Sequence, residues 1–174
     1  MRCFLAIEIT EETKRELLRV EDAIKPFIQG NFVEPKNMHL TLKFFGEIPN
    51  EKVEEIRNSL RKIKFPKFRA TIGKMGFFSP AFIRVAWVSL EPSDKIKALY
   101  EEIEKVLGNK VAGFESHVAI VRVKKLKSKE RLLRKVSELD IGAADFPVEA
   151  FVLKKSTLTP KGPIYEDVEK FKLI

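Results

Sequence analysis

The chain repeats itself. Its two histidines, His39 and His117, stand 78 positions apart, each opening a short apolar run, HLTLKFF and HVAIVRV. Each run leads into a helix-like segment and then into a segment headed by phenylalanine, Phe68 and Phe146, again 78 apart. Upstream of each histidine another strand-like run, FLAIEIT or IRVAWVSL, enters a helix of its own. A fixed period of this kind means two copies of one supersecondary unit, here strand–helix–strand–helix–strand, that bury their apolar faces together. The expected fold is therefore α+β and bilobal. Two pseudo-twofold-related lobes would each carry an antiparallel sheet with helices on its outer face, with a cleft between them. Residues 1–174 would form one bilobal domain whose lobes can exchange strands.

Local signals place the elements. FLAIEI (4–9) reads as a strand, and Thr10 caps a helix with an acidic first turn that runs to Lys25, before Pro26. A helix starts at Asn50, with Val53, Ile56, Leu60 and Ile63 on one stripe. Residues 67–78 and 82–90 read as strands separated by a turn at Ser79-Pro80. Ser93 caps a third helix that stops at Gly108, and Ser128 opens a fourth. Strands follow at 146–158 and 164–173. No Pro/Gly/Ser-rich linker interrupts the chain.

Composition narrows the class. With 44% hydrophobic and 33% charged residues, the 174-residue chain reads as a globular protein able to bury a core. No run approaches the roughly 18 apolar residues of a membrane helix, and the early acids Glu8, Glu11 and Glu12 do not suit a signal peptide. The lone Cys3 forms no internal disulfide, which suits the cytoplasm, and its apolar run makes it core filler. A formal charge of +8 favours a polyanion such as RNA. The abundance of Lys and Glu beside a single glutamine, Gln29, equally fits a heat-adapted protein.

A lone histidine inside a strand is usually structural. Here pseudo-twofold packing would bring two imidazoles face to face across the cleft. Imidazole titrates near pH 6.5, so one ring can take a proton from water while the other gives one to a leaving alkoxide. Strand alternation aims Thr41 and Lys43 to the same side as His39, so the Thr41 hydroxyl can bond a phosphate oxygen. Opening a phosphodiester in this way requires no metal. Two distant histidines and one cysteine argue against zinc, and no phosphate-binding glycine loop or dinucleotide fingerprint is present. No cofactor is expected.

At these residues the sequence resembles the two-histidine phosphoesterases, whose signature is one His-x-Thr-x motif per lobe. It resembles more narrowly the branch of RNA 2′,3′-cyclic phosphodiesterases, also called 2′-5′ RNA ligases. The likeness runs through RCFLAIEI, HLTLKFFGEI (39–48), FIRVAWVSL (82–90), HVAIVRV (117–123) and the tail TLTPKGPIY (157–165). It implies hydrolysis of terminal 2′,3′-cyclic phosphates to 2′-phosphates, and the reverse joining of such ends to a 5′-hydroxyl. The partners implied are RNA ends, tRNA-like or fragments, met by a monomer. Carried over, the motifs are His39-Leu40-Thr41-Leu42 and His117-Val118-Ala119-Ile120, with His39 as proton donor and His117 as acceptor.

Ala119 departs from the family, which has threonine there. Losing one charge-assisted hydrogen bond is worth about 1.5–3 kcal/mol, so a weakened RNA-binding module remains an alternative, as does a phosphodiesterase of small cyclic nucleotides. Ser116 has the wrong parity to substitute. The resemblance suggests a base-stacking ring at Phe44 and a phosphate-binding cation at Arg122. Regular alternation puts both on the helix side, so a bulge would be needed to turn them inward. Core packing is the alternative for Phe44, and a surface charge for Arg122. Lys43 meets either RNA backbone or solvent. Seven Lys or Arg between Lys124 and Lys135 form either a solvated face or an RNA track. The doublet Phe77-Phe78 is read as packing, with a stacking surface as the alternative.

Overall fold

A computed structural model describes residues 1–79 and 81–174. The turn expected at Ser79-Pro80 includes Pro80, which lies outside the described residues. Nine strands and four helices follow in the order β1 (Arg2–Glu8), α1 (Glu11–Ile24), β2 (Ile28–Phe32), β3 (His39–Glu47), α2 (Asn50–Leu60) and β4 (Phe68–Phe77). Then come β5 (Val85–Glu91), α3 (Ser93–Val106), β6 (His117–Leu126), α4 (Lys129–Glu138), β7 (Phe146–Val148), β8 (Ala150–Thr159) and β9 (Gly162–Lys172).

Several local signals act as read. The Thr10 side chain accepts from the Thr13 amide at the start of α1, and Ser128 accepts from Arg131 at the start of α4. Gly108 takes a φ of 69 just past α3, the left-handed turn that glycine tolerates. Three readings need correction. Ser93 is the first helical residue and does not cap, because Pro92 holds the N-cap position. The span 146–158 is two strands, interrupted at Glu149. Strand β2 carries no alternating apolar pattern and was not anticipated; its backbone docks on β6.

The strands form an antiparallel array in the order β7-β4-β5-β6-β3-β1-β8-β9, with β2 also on β6. This order is symmetric about its centre. Strands β6 and β3 touch at one pair, Leu40 opposite Val118, and these residues are themselves 78 apart. The pseudo-twofold axis passes through that bridge. β5 answers β1, and β4 answers β8. After α2 the chain leaves the first lobe to place β4 against β5, and after α4 it returns to place β8 against β1. Beyond the bridge β3 leaves β6, and β2 takes over pairing with β6 from Val121 onward. β3 and β6 therefore diverge from one pairing, which leaves room for a cleft between them.

One face of this array is dry. Leu40, Leu42, Val88, Leu90, Val118 and Ile120 are buried with the apolar stripes of α1, α2 and α3. At roughly 25 cal/mol per Å² of apolar surface, that burial is the main force holding the helices on. One buried group opposes it. Glu21 of α1 is 2% exposed and its Oε1 has no hydrogen-bond partner among the described residues. Burial pushes its carboxyl from 4.5 up to about 7, with the Lys25 ammonium pulling the other way. Between those values the folded chain keeps a proton that the unfolded chain has released. The stability it contributes is therefore complete below about pH 4.5 and is lost as pH rises through 7. The shift corresponds to at most about 3 kcal/mol. Glu21→Gln is expected to flatten this slope in urea unfolding at pH 5 and pH 8; equal slopes in both proteins would refute the account.

Candidate active site

The Leu40–Val118 pair sets what faces the cleft. Continuing that antiparallel register one step to either side would set His39 opposite Ala119 and Thr41 opposite His117. All four side chains lie on the face away from the helices. Diagonal neighbours on such a ladder are about 7–8 Å apart, a separation that a tetrahedral phosphate between the two imidazoles can span.

Each imidazole is held in the same way. His39 Nδ1 lies 2.6 Å from the Asn37 carbonyl, and His117 Nδ1 lies 2.7 Å from the Glu115 carbonyl. Asn37 and Glu115 are again 78 apart. A carbonyl only accepts, so in each neutral ring Nδ1 carries the proton and Nε2 keeps its lone pair. His39 Nε2 lies 3.0 Å from Thr41 Oγ1, whose hydroxyl donates to it. The His39 ring is enclosed by Phe4 at 4.9 Å and Tyr165 at 5.4 Å. That burial lowers its pKa to about 4; the Asn37 carbonyl opposes the shift, while the Lys154 and His117 charges add to it. His39 is therefore neutral near pH 7.

Two bulges decide which neighbours join the histidines. Along β3 the pairing with β1 steps from Thr41–Ala6 to Lys43–Leu5, leaving Leu42 unpaired. Along β6 the pairing with β5 steps from Ala119–Trp87 to Val121–Ala86, leaving Ile120 unpaired. Leu42 and Ile120 are repeat equivalents. An extra residue reverses strand parity. Phe44, opposite Phe4, thus turns to the cleft face and is 51% exposed; Arg122, opposite Val85, turns there too. The bulge these two residues require is present in both lobes. The same bulge moves Lys43 off the His39 face, where regular alternation placed it. Its ammonium lies 2.7 Å from Glu104 of α3, a buried carboxylate. It is held away from the cleft and only partly reaches solvent.

Further groups reach the site without having been singled out from the sequence. The Arg2 guanidinium stacks on the Phe44 ring at 4.7 Å. Burial raises the pKa of the Tyr165 phenol, and the Arg122 and Arg2 charges work against that shift. Lys154 bonds Glu8 and Asp167 at the edge of a concavity lined by Lys36, Asn37, His39 and Tyr165. Parity could have suggested Arg2, which shares a face with Phe4; nothing local distinguished Lys154. Ser116 is buried, with its hydroxyl donating to the Leu90 carbonyl, so it does not supply what Ala119 lacks. Phe78 is 56% exposed against His117 and Trp87, whereas Phe77 packs on the core. Lys124, Lys125, Lys127, Lys129 and Arg131 are exposed; Arg134 pairs with Glu130, and Lys135 is half-buried.

The arrangement can move two protons across a phosphate while guanidiniums offset the charge that develops on it. Among the described residues no group of three His, Cys, Asp or Glu side chains could hold a metal ion. Among the same residues no helix is long and apolar enough to cross a membrane.

Comparison with known proteins finds relatives along the whole chain. A family model for LigT-like phosphoesterases matches residues 7–87. A Thermotoga maritima protein named RNA 2′,3′-cyclic phosphodiesterase is 36% identical, over 95% of this chain and 92% of its own length. One of the same name from Methanothermobacter thermautotrophicus is 34% identical, over 99% of each. The crystal structure of a Thermus thermophilus protein superposes with a TM-score of 0.79 at 27% identity, over 99% of this chain and 97% of that one. Escherichia coli LigT in its apo form shares the fold, with a TM-score of 0.77 at 21% identity over 99% of this chain and 96% of that one.

Proposed function

The chain belongs to the LigT-like phosphoesterase family, and from that premise we propose that it is an RNA 2′,3′-cyclic phosphodiesterase. It opens terminal cyclic phosphates to 2′-phosphates by metal-independent acid–base catalysis, acting as a monomer in the cytoplasm. The observation that carries this reading is the matched pair of imidazoles, each tied through Nδ1 to the carbonyl two residues upstream, flanking the one β3–β6 pairing.

In hydrolysis a water attacks phosphorus, the bond to O3′ breaks, and the phosphate stays on O2′. His39 takes the water proton on Nε2, and His117, protonated, gives its proton to O3′. This assignment reverses the roles carried over from the family, because the enclosed His39 ring is the neutral one. Thr41 releases His39 and donates to a non-bridging oxygen, while Arg122 and Arg2 offset the developing charge. Phe44 offers its exposed ring to a base. With a 5′-hydroxyl in place of water the same steps form a 2′-5′ linkage, which is the ligase direction. Lys43 has no part, since Glu104 holds its ammonium.

The test is incubation with RNA ending in a 2′,3′-cyclic phosphate, in EDTA, with detection of the 2′-phosphate. Turnover in EDTA supports the proposal, and a requirement for added metal overturns its metal-free form. Salt-sensitive RNA binding without turnover would favour the binding-module reading that Ala119 keeps open. Turnover confined to cyclic mononucleotides would favour the small-nucleotide reading. The pH profile of kcat/KM tests the part of His39: an acid limb is expected near pH 4, where its ring gains a proton, and the absence of that limb would remove His39 from the proton transfers.

A further inference from the structure

The second lobe is not a plain copy of the first, and the difference lies beside His117. On the cleft face of the first lobe, Ala6 of β1 sits between Thr41 of β3 and Val152 of β8. At the matching place in the second lobe, Trp87 of β5 sits between Ala119 of β6 and Gly76 of β4. Large and small have changed places. The hydroxyl missing at position 119 therefore coincides with a large ring on the neighbouring strand.

The fit around that ring is close. A Cβ at position 76 would lie 2.6 Å from Cη2 of Trp87 and 3.0 Å from Cζ2 and Cζ3, so the indole rests across a slot that only glycine leaves open. The indole centroid is 5.9 Å from His117, and Phe78 closes the group at 5.6 Å from Trp87 and 4.9 Å from His117. Stability alone does not account for tryptophan here. Its Nε1 is buried without a hydrogen-bond partner among the described residues, a cost that phenylalanine or leucine would avoid. Phe78, moreover, is left 56% exposed. Both rings are held where they touch the His117 imidazole.

We infer that Trp87 and Phe78 seat a second nucleobase. Together with Phe44 across the pseudo-dyad, they give each lobe one base-stacking surface, so a phosphodiester at the histidines binds with a nucleoside on either side. The preferred ligand is then a 2′-5′-linked dinucleoside or longer RNA, in preference to a cyclic mononucleotide. This inference rests on the proposed function, since it assumes that phosphate lies between His39 and His117.

Trp87 is the only tryptophan in the chain, so its emission reports this seat directly. The probe is 2′-5′-linked adenylyl-adenosine, with inorganic phosphate as the control without a base. Saturable quenching by the dinucleoside but not by phosphate is expected. Trp87→Leu should raise KM for cleavage of this dinucleoside by about ten- to a hundredfold, the range of one lost base stack. The exposed Phe78→Ala, which places little demand on folding, should shift KM in the same direction. Unquenched emission, or an unchanged KM in Phe78→Ala, overturns the second seat even if cyclic ends are still opened. Quenching in a protein that opens no cyclic phosphate keeps the seat and overturns the catalytic reading.

Discussion

His117→Ala lowers the rate of cyclic phosphate opening by about 10²–10⁴-fold, and His39→Ala does the same. Each ring handles a proton that must move as the phosphorus bonds change, and alanine cannot carry it. Ser116 is turned away with its hydroxyl on the Leu90 carbonyl, and Lys43 is held by Glu104. The double variant is expected to be little slower than either single one, because removing one proton path already disables the concerted step. KM should change less than kcat, since Arg122, Arg2 and the stacking rings remain. Melting temperature is the control, above all for His39→Ala, which opens space between Phe4 and Tyr165. Single-turnover rates within about threefold of the unaltered protein, in a folded variant, would remove both histidines from the chemistry.

The second large effect is on stability. Lys43→Met is expected to cost about 3–5 kcal/mol, because it leaves the Glu104 carboxylate buried without its partner. The Glu104 side chain is 3% exposed and that of Lys43 22%. The contact lies within ion-pair distance, yet among the described residues the Glu104 oxygen has no well-aligned hydrogen bond. The pair therefore depends on charge, with little directional bonding to support either group alone. Replacing both residues, as in Lys43→Met with Glu104→Leu, should recover most of the loss, since a well-packed apolar pair often equals a buried ion pair. Urea unfolding of the three proteins decides it. A single variant within about 1 kcal/mol of the original would mean that solvent already screens the pair.

Both predictions turn on the same bulge, and that bulge marks where the sequence stopped being legible. Alternation read from His39 put Lys43 in the cleft and Phe44 in the core. One extra residue at Leu42 exchanges them, and its counterpart at Ile120 turns Arg122 inward. No residue type announces a bulge there. Leu42 and Ile120 are ordinary strand residues, and the shift exists only relative to β1 and β5, strands distant in the chain. Strand β2 was missed for a related reason. IQGNF has no apolar alternation, and it becomes a strand because the exposed edge of β6 beyond Val118 offers it hydrogen bonds.

The sequence by itself determined the repeat, the pair of histidines it relates, the α+β class and the family. All of these depend on residue order and on side-chain periodicity along one strand or helix, which are local properties. Only the tertiary structure decided that Leu40 pairs with Val118 on the pseudo-dyad, that bulges choose the cleft residues, and that Trp87 rests over Gly76 beside His117. Those outcomes depend on register between strands far apart in the chain. Register is set when the lobes bury their apolar faces together, and no single segment carries that information.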